Sequence, residues 1–106
     1  MFFPVADKYP PRRQGTPKLQ YDAEVGAAKR LRCGVTGQPP PTITWLKDDE
    51  PLKLSERVSN LNDNKTIKIK PVKLQDQGNY TCIAENTLGN LNLTLELTVR
   101  KGRLEN

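Results

Sequence analysis

The chain is 106 residues long, carries a formal charge of +5, and contains two cysteines and no histidine. Its length gives one domain of ordinary size, and the missing histidine excludes histidine general-base catalysis and histidine metal ligation. No apolar run approaches the ~20 residues of a membrane helix, and Met1-Phe2-Phe3-Pro4 is too quickly interrupted for a secretory leader, so the chain reads as a mature excerpt linked to any membrane only through a parent chain.

In chain order, residues 1–16 hold Pro4, Pro10 and Pro11 with Arg12, Arg13 and Gly15 and show no periodicity. They read as a flexible leader or interdomain linker, the folded domain being expected over 17–100 and a polar tail over 101–106. From Lys29 to Val35, the residues Leu31, Cys33 and Val35 fall on one side and Arg30 and Arg32 on the other. Gly37-Gln-Pro-Pro-Pro41 breaks the chain, and Thr42 to Leu46 then turns Ile43 and Trp45 inward. Turn signals recur at Lys47–Pro51 and Asn62–Asn64, with short edge strands expected between Leu52 and Ser59. Thr66 to Lys70 places Ile67 and Ile69 inward against Lys68 and Lys70, and Leu74 is expected to plug the base of the core. Tyr80, Cys82 and Ala84 share a face, and Leu91, Leu93, Leu95, Leu97 and Val99 alternate with polar residues to the end of the domain. A period of two gives strands with one buried face each, so the fold class is all-β.

The most informative constellation is Cys33, Trp45 and Cys82, closed by Asp76-Gln-Gly-Asn-Tyr-Thr-Cys82. With Gly26, Leu31, Gly37, Pro39, Pro41, Lys47, Leu52, Arg57, Leu74, Ala84, Asn86 and Gly89, it resembles the I-set of immunoglobulin domains. That resemblance implies a two-sheet sandwich, sheets A-B-E-D and A′-G-F-C-C′, pinned by a Cys33–Cys82 disulfide with the indole packed on it. The alternative is a reduced, buried pair, as intracellular members of the superfamily have. The resemblance further implies that the Tyr80 hydroxyl bonds backbone near Asp76, that Arg57 pairs with Asp76, and that Asn86 and Gly89 shape the last hairpin beyond the strand begun at Gly78. Within the set, Trp45-Leu-Lys47, Gly78-Asn-Tyr-Thr-Cys82 and Asn92-Leu-Thr94 are similar to the second immunoglobulin domain of fibroblast growth factor receptors, and to domains of other receptor tyrosine kinases and neural adhesion molecules. The family pattern has an apolar residue where this chain has Lys29, so either the strand starts later or the lysine snorkels out at the sheet end.

Three surface features are candidates for function. Arg30 and Arg32 on strand B and Lys68 and Lys70 on strand E, neighbours about 4.8 Å apart, form a basic patch suited to a polyanion such as heparan sulfate, or simply a solvated face. The similar receptor domain binds that glycan, although its basic positions do not map one by one onto this chain. Leu46 and Ile83, outward on strands C and F, are a candidate protein interface. Asn64, Asn79 and Asn92 each begin an Asn-x-Thr glycosylation acceptor triplet. No metal site, catalytic constellation or cofactor motif is present; Asp48, Asp49 and Glu50 diverge in a turn and lack the other positions of a calcium loop. Nucleic acid is a poor partner for want of an exposed aromatic platform or a reading motif.

The expected function is therefore a non-enzymatic extracellular recognition module of a receptor or adhesion protein. Its expected partners are a protein ligand or neighbouring immunoglobulin domain, and/or heparan sulfate. The rival readings are a cytoskeletal or sarcomeric I-set domain meeting actin and a structural spacer in a tandem array.

Overall fold

The computed structural model describes residues 7–102 and contains ten strands. They are β1 (Tyr9–Arg13), β2 (Gln20–Glu24), β3 (Lys29–Arg32), β4 (Val35–Gln38), β5 (Thr42–Lys47), β6 (Glu50–Pro51), β7 (Val58–Leu61), β8 (Thr66–Ile69), β9 (Gly78–Asn86) and β10 (Gly89–Arg100). One sheet runs β2-β10-β9-β5-β6, with β2 parallel to β10 and the other pairs antiparallel. This is the expected A′-G-F-C-C′ order. The opposing layer consists of β3-β8-β7 and the pair β1-β4, which together supply A, B, E and D. The all-β sandwich read from the period-two pattern is the fold observed.

The inward positions of both sheets form one core that includes Leu31, Val35, Ile43, Ile67, Ile69, Leu93, Leu95 and Leu97. At ~1.5–3 kcal/mol for each fully buried large aliphatic side chain, these alternations are the main stabilising term. The Cys33–Cys82 disulfide crosses the core with Cα atoms 6.0 Å apart, within the usual span. Trp45 lies directly across the ladder from Cys82, and its indole N–H donates to the Asn64 carbonyl at 2.5 Å.

Three expectations are corrected, besides that of the short edge strands, which lie at β6 inside the expected turn and at β7 from Val58 rather than from Leu52 to Ser59. The leader expected over 1–16 includes β1, which pairs with β4; residues 1–6 of it, and 103–106 of the expected tail, lie outside the described residues. Pro10 and Pro11 made this stretch look like a linker, but proline is tolerated on an edge strand, where its missing N–H breaks no ladder, and Pro11 is buried. Asn86 fastens β1 in place, its amide donating to the carbonyls of Tyr9 (2.9 Å) and Pro39 (3.0 Å). The strand expected from Lys29 to Val35 is split at Cys33-Gly34, because the N-terminal segment crosses from one sheet to the other there. Gly34 permits the crossing: a Cβ at that position would lie 2.9 Å from the Pro17 Cβ.

The third correction concerns Leu74, which does not plug the core. It opens a 3-10 turn over Leu74–Asp76 and is half exposed, whereas Val72 is completely buried. Val72 is held by paired backbone bonds, its N–H donating to the Ala27 carbonyl and its own carbonyl accepting from Gly26 N–H, each at 2.8 Å. Val72→Ala is accordingly expected to destabilise by about 2 kcal/mol through lost burial and a cavity, and Leu74→Ala by less than about 0.5 kcal/mol. Urea denaturation of the two variants checks the assignment, and a reversed ranking would restore Leu74 to the core.

Candidate polyanion-binding face

β3 and β8 are antiparallel neighbours, and their register sets Arg30 directly across from Lys68 and Arg32 across from Thr66. The inward partners on the same strands are Leu31 and Ile67, both buried, so the alternation that fills the core leaves Arg30 and Arg32 exposed and Lys68 half-buried on the outer face. Lys70 lies one position beyond the β8 ladder, exposed, with its N–H bonded to the Arg57 carbonyl at 2.9 Å. Like charges directly opposed across a ladder destabilise it. None of Arg30, Arg32, Lys68 or Lys70 belongs to an ion pair among the described residues.

The face is not flat. A concavity of about 390 Å³ is lined by Arg30, Arg32, Asn62, Lys65 and Thr66. Lys65 is a cation that strand parity could not find, because it sits in the turn before β8; its carbonyl accepts from Cys33 N–H at 2.8 Å, which anchors it beside β3. A second concavity, of about 400 Å³, lies around the corner of the sandwich and includes Lys18, Tyr21, Arg32 and Gly34 in its wall. Arg32 borders both, so positive charge runs continuously from the β3–β8 face to the start of β2.

Tyr21 organises that corner. Its hydroxyl accepts from Arg32 N–H at 3.3 Å, and the ammonium groups of Lys18 and Lys29 lie 4.8 and 5.9 Å from its ring centroid, within reach of cation–π attraction. Lys29 starts β3 opposite Ile69, so of the two explanations for its departure from the family pattern, the lysine that snorkels out is the one observed.

The base of the sandwich is closed by a polar cluster. Arg57 makes paired bonds to Asp76, Nη1 to Oδ2 at 2.9 Å and Nη2 to Oδ1 at 3.1 Å, and Nη1 also reaches the Pro71 carbonyl at 2.7 Å. The Asp76 side chain is only 7% exposed. Burial pulls its pKa upward, but the Arg57 bonds, the Lys73 N–H and the guanidinium charge outweigh it and hold the carboxyl below its ordinary value. Tyr80 donates to the Asp76 carbonyl at 2.5 Å, and its own pKa is raised, first by burial and then by the neighbouring carboxylates. Asp48 has a structural part that the sequence did not disclose: its carboxylate accepts from Asn79 N–H at 2.9 Å and from Lys47 at 2.7 Å. Gly78 has φ +147°, and a Cβ there would come within 2.6 Å of that carboxylate.

On the opposite sheet, Leu46 faces Thr81 and Ile83 faces Thr44. The two apolar side chains are diagonal neighbours and each is half-buried. Asn79 and Asn92 are exposed on this same sheet. Asn64 sits in the 62–64 turn, where its side chain bonds Asn60 and reaches the Ile43 carbonyl at 3.4 Å.

Residues 13–99 match the family model of the immunoglobulin I-set domain. Among curated proteins, human leucine-rich repeats and immunoglobulin-like domains protein 1 is 44% identical over 71% of this chain, and chicken fibroblast growth factor receptor-like 1 is 41% identical over 71%. The chain spans only 7% and 15% of the lengths of those two relatives. Of solved structures, an immunoglobulin domain in the titin M10–obscurin-like 1 complex superposes with a TM-score of 0.78 at 30% identity, covering 90% of this chain and 98% of that one. A Dscam structure gives a TM-score of 0.81 at 25% identity, covering 89% of this chain and 25% of that one.

Two outcomes follow from the base cluster. Tyr80→Phe, which orphans the buried Asp76 carbonyl, is expected to cost about 1–3 kcal/mol; equilibrium denaturation checks it, and a loss under about 0.3 kcal/mol would mean that the bond contributes nothing. Because the folded pKa of Asp76 is depressed, its stabilisation is complete above the unfolded value of about 4 and is lost as pH falls through the folded value. A urea midpoint followed downward from pH 5 should therefore drop less steeply in Asp76→Asn than in the parent; superimposable slopes would remove Asp76 from the acid response.

Proposed function

This chain belongs to the I-set immunoglobulin family, and on that premise we propose that it is a non-catalytic recognition module of an extracellular receptor or adhesion protein that binds a sulfated polyanion, of the heparan sulfate class, through its β3–β8 face. The observation that carries the reading is the direct opposition of Arg30 and Lys68 beside the Arg30–Arg32–Lys65 concavity, with no acidic partner within ion-pair distance among the described residues. A surface selected only for solubility has no need to oppose like charges in one ladder, which costs stability. A linear polyanion crossing the ladder neutralises several of these charges at once and releases its counterions, so binding weakens as salt rises. The formed Cys33–Cys82 bond supports an oxidising compartment, and a relative named as a growth factor receptor-like protein supports the receptor class. A protein ligand or neighbouring immunoglobulin domain is the second partner such a module would serve.

One rival retains a specific observation in its favour. The likeness to a titin–obscurin-like domain, at 98% coverage of that chain, supports a cytoskeletal assembly domain or tandem spacer, in which the same basic face would meet an acidic protein such as actin. Alkylation of native material separates the two readings: reactive thiols at Cys33 and Cys82 select the intracellular one.

Reversal of Arg30, Arg32, Lys68 and Lys70 to glutamate is expected to abolish retention on immobilised heparin at moderate salt while leaving the melting temperature within a few degrees of the parent. A control that reverses Lys8, Arg13, Lys53 and Lys101 carries the same net charge and should retain most of the binding. Equal loss in both variants would reduce the interaction to net charge, and unchanged elution of the first would refute the glycan site.

A further inference from the structure

The face opposite the cations poses a separate question: what covers Ile83 and Leu46. We propose that Asn79 and Asn92 carry N-linked glycans, and that the glycan on Asn92 covers the Ile83–Leu46 patch and leaves the β3–β8 face as the module's open surface. The proposal rests on the extracellular reading above.

Asn92 lies in mid-β10, exposed, and the β9–β10 register sets it directly across from Ile83, where Cβ atoms stand about 5 Å apart. Ile83 is thus bordered by Thr44 on one side and by an acceptor asparagine on the other. The hydroxyl residues of the two triplets, Thr81 and Thr94, are themselves cross-strand partners, with their oxygens 3.0 Å apart. Both triplets therefore converge on the middle of one face. Among the described residues, neither the Asn79 nor the Asn92 carboxamide has a hydrogen-bond partner, since Asn79 is bonded only through its backbone. Each Nδ2 is free to form a bond to the anomeric carbon of an oligosaccharide, losing one proton as the diphosphate of a lipid-diphosphate donor departs.

Asn64 is exposed as well but differs in its bonding and backbone. Its carboxamide is held by Asn60 and the Ile43 carbonyl, its backbone has φ +70°, and the hydroxyl residue of its triplet, Thr66, is buried. The proposal does not extend to it.

The composition of the face also fits a sugar cover better than a protein partner. The outward positions of β5 and β9, and of β10 before Arg100, are threonine, asparagine and glutamate apart from Leu46 and Ile83. No aromatic ring and no arginine stand among them, although these are the side chains that dominate protein interface energies.

The test is secretion of the 106-residue chain from animal cells behind a cleavable leader, set against the same chain made in bacteria. Enzymatic glycan release in heavy-oxygen water marks each occupied asparagine as labelled aspartate in the peptide mass, and hydroxyl-radical footprinting reads the exposure of Ile83 and Leu46. Labelled Asn79 and Asn92, with Ile83 oxidation several-fold lower in the secreted protein and restored in Asn92→Gln, is the expected result. Thr94→Ala disables the same acceptor while leaving Asn92 in place, and should restore Ile83 oxidation equally. An unlabelled Asn92, or equal Ile83 oxidation in the two preparations, would overturn the proposal. Heparin retention is read on the glycan-free bacterial protein, so failure of the polyanion site and failure of the glycan cover are told apart.

Discussion

The bond between Cys33 and Cys82 joins the two layers and fixes which side of β3 and of β9 faces inward. Cys33 directly follows β3 and Cys82 lies within β9. Once both sulfurs point into the core, the period of two leaves no freedom for their neighbours: Arg30 and Arg32 must leave through one outer face, and Thr81 and Ile83 through the other. A register slip of one residue in β3 would turn Arg30 and Arg32 into the core and Leu31 out of it. In the chain-entropy model a link across 49 residues of sequence also removes about 4 kcal/mol of unfolded-state freedom. The placement of charge on this molecule is in that sense a consequence of how its core is clamped.

The two ends of the sandwich are closed by different means. At one, Asn86 binds the carbonyls of Tyr9 and Pro39 and accepts from Leu88 N–H, so the first strand is held by the last hairpin. At the other, the paired Arg57–Asp76 bonds and the Tyr80 hydroxyl satisfy polar groups that burial would otherwise penalise. This second cluster bears on the basic face as well, because Lys70 is tethered to the Arg57 carbonyl. A defect in the corner would loosen the end of β8 that presents Lys68.

The parts of this architecture that repeat were legible in the sequence; the parts that depend on one crossing or one turn were not. The inward residues of β5, β8, β9 and β10 followed from alternation, and Tyr80, Asp76 and Arg57 took their expected partners. The strand over Tyr9–Arg13 was hidden because its two prolines carry the local signature of a linker, and only the meeting with β4 reveals an edge strand that tolerates them. Leu74 was misplaced because periodicity says nothing within a 3-10 turn, and the tertiary bonds from Ala27 and Gly26 deliver Val72 to the core instead. Lys65 and Tyr21 joined the basic face for a similar reason: one sits in a turn and the other on the opposite sheet, and tertiary hydrogen bonds, from Cys33 N–H to the Lys65 carbonyl and from Arg32 N–H to the Tyr21 hydroxyl, bring both beside Arg32. The sequence signal that could have found Tyr21 is its flanking by Lys18 and Lys29, which has force only once β2 and β3 are known to meet.

The two faces of the module are chemically unlike. One concentrates unpaired guanidinium and ammonium groups around two shared concavities; the other is a threonine and asparagine surface with two half-buried aliphatic side chains. The central claim is that the first of these is where a polyanion docks. Titration of isotopically labelled protein with a defined heparin oligosaccharide, followed by NMR, tests it residue by residue. Binding at this face predicts shifts concentrated at Arg30, Arg32, Lys65 and Lys68, spreading to Lys18 and Tyr21 with longer oligosaccharides. Shifts concentrated on β5 and β10, or none at concentrations where the protein is retained on heparin, would contradict it.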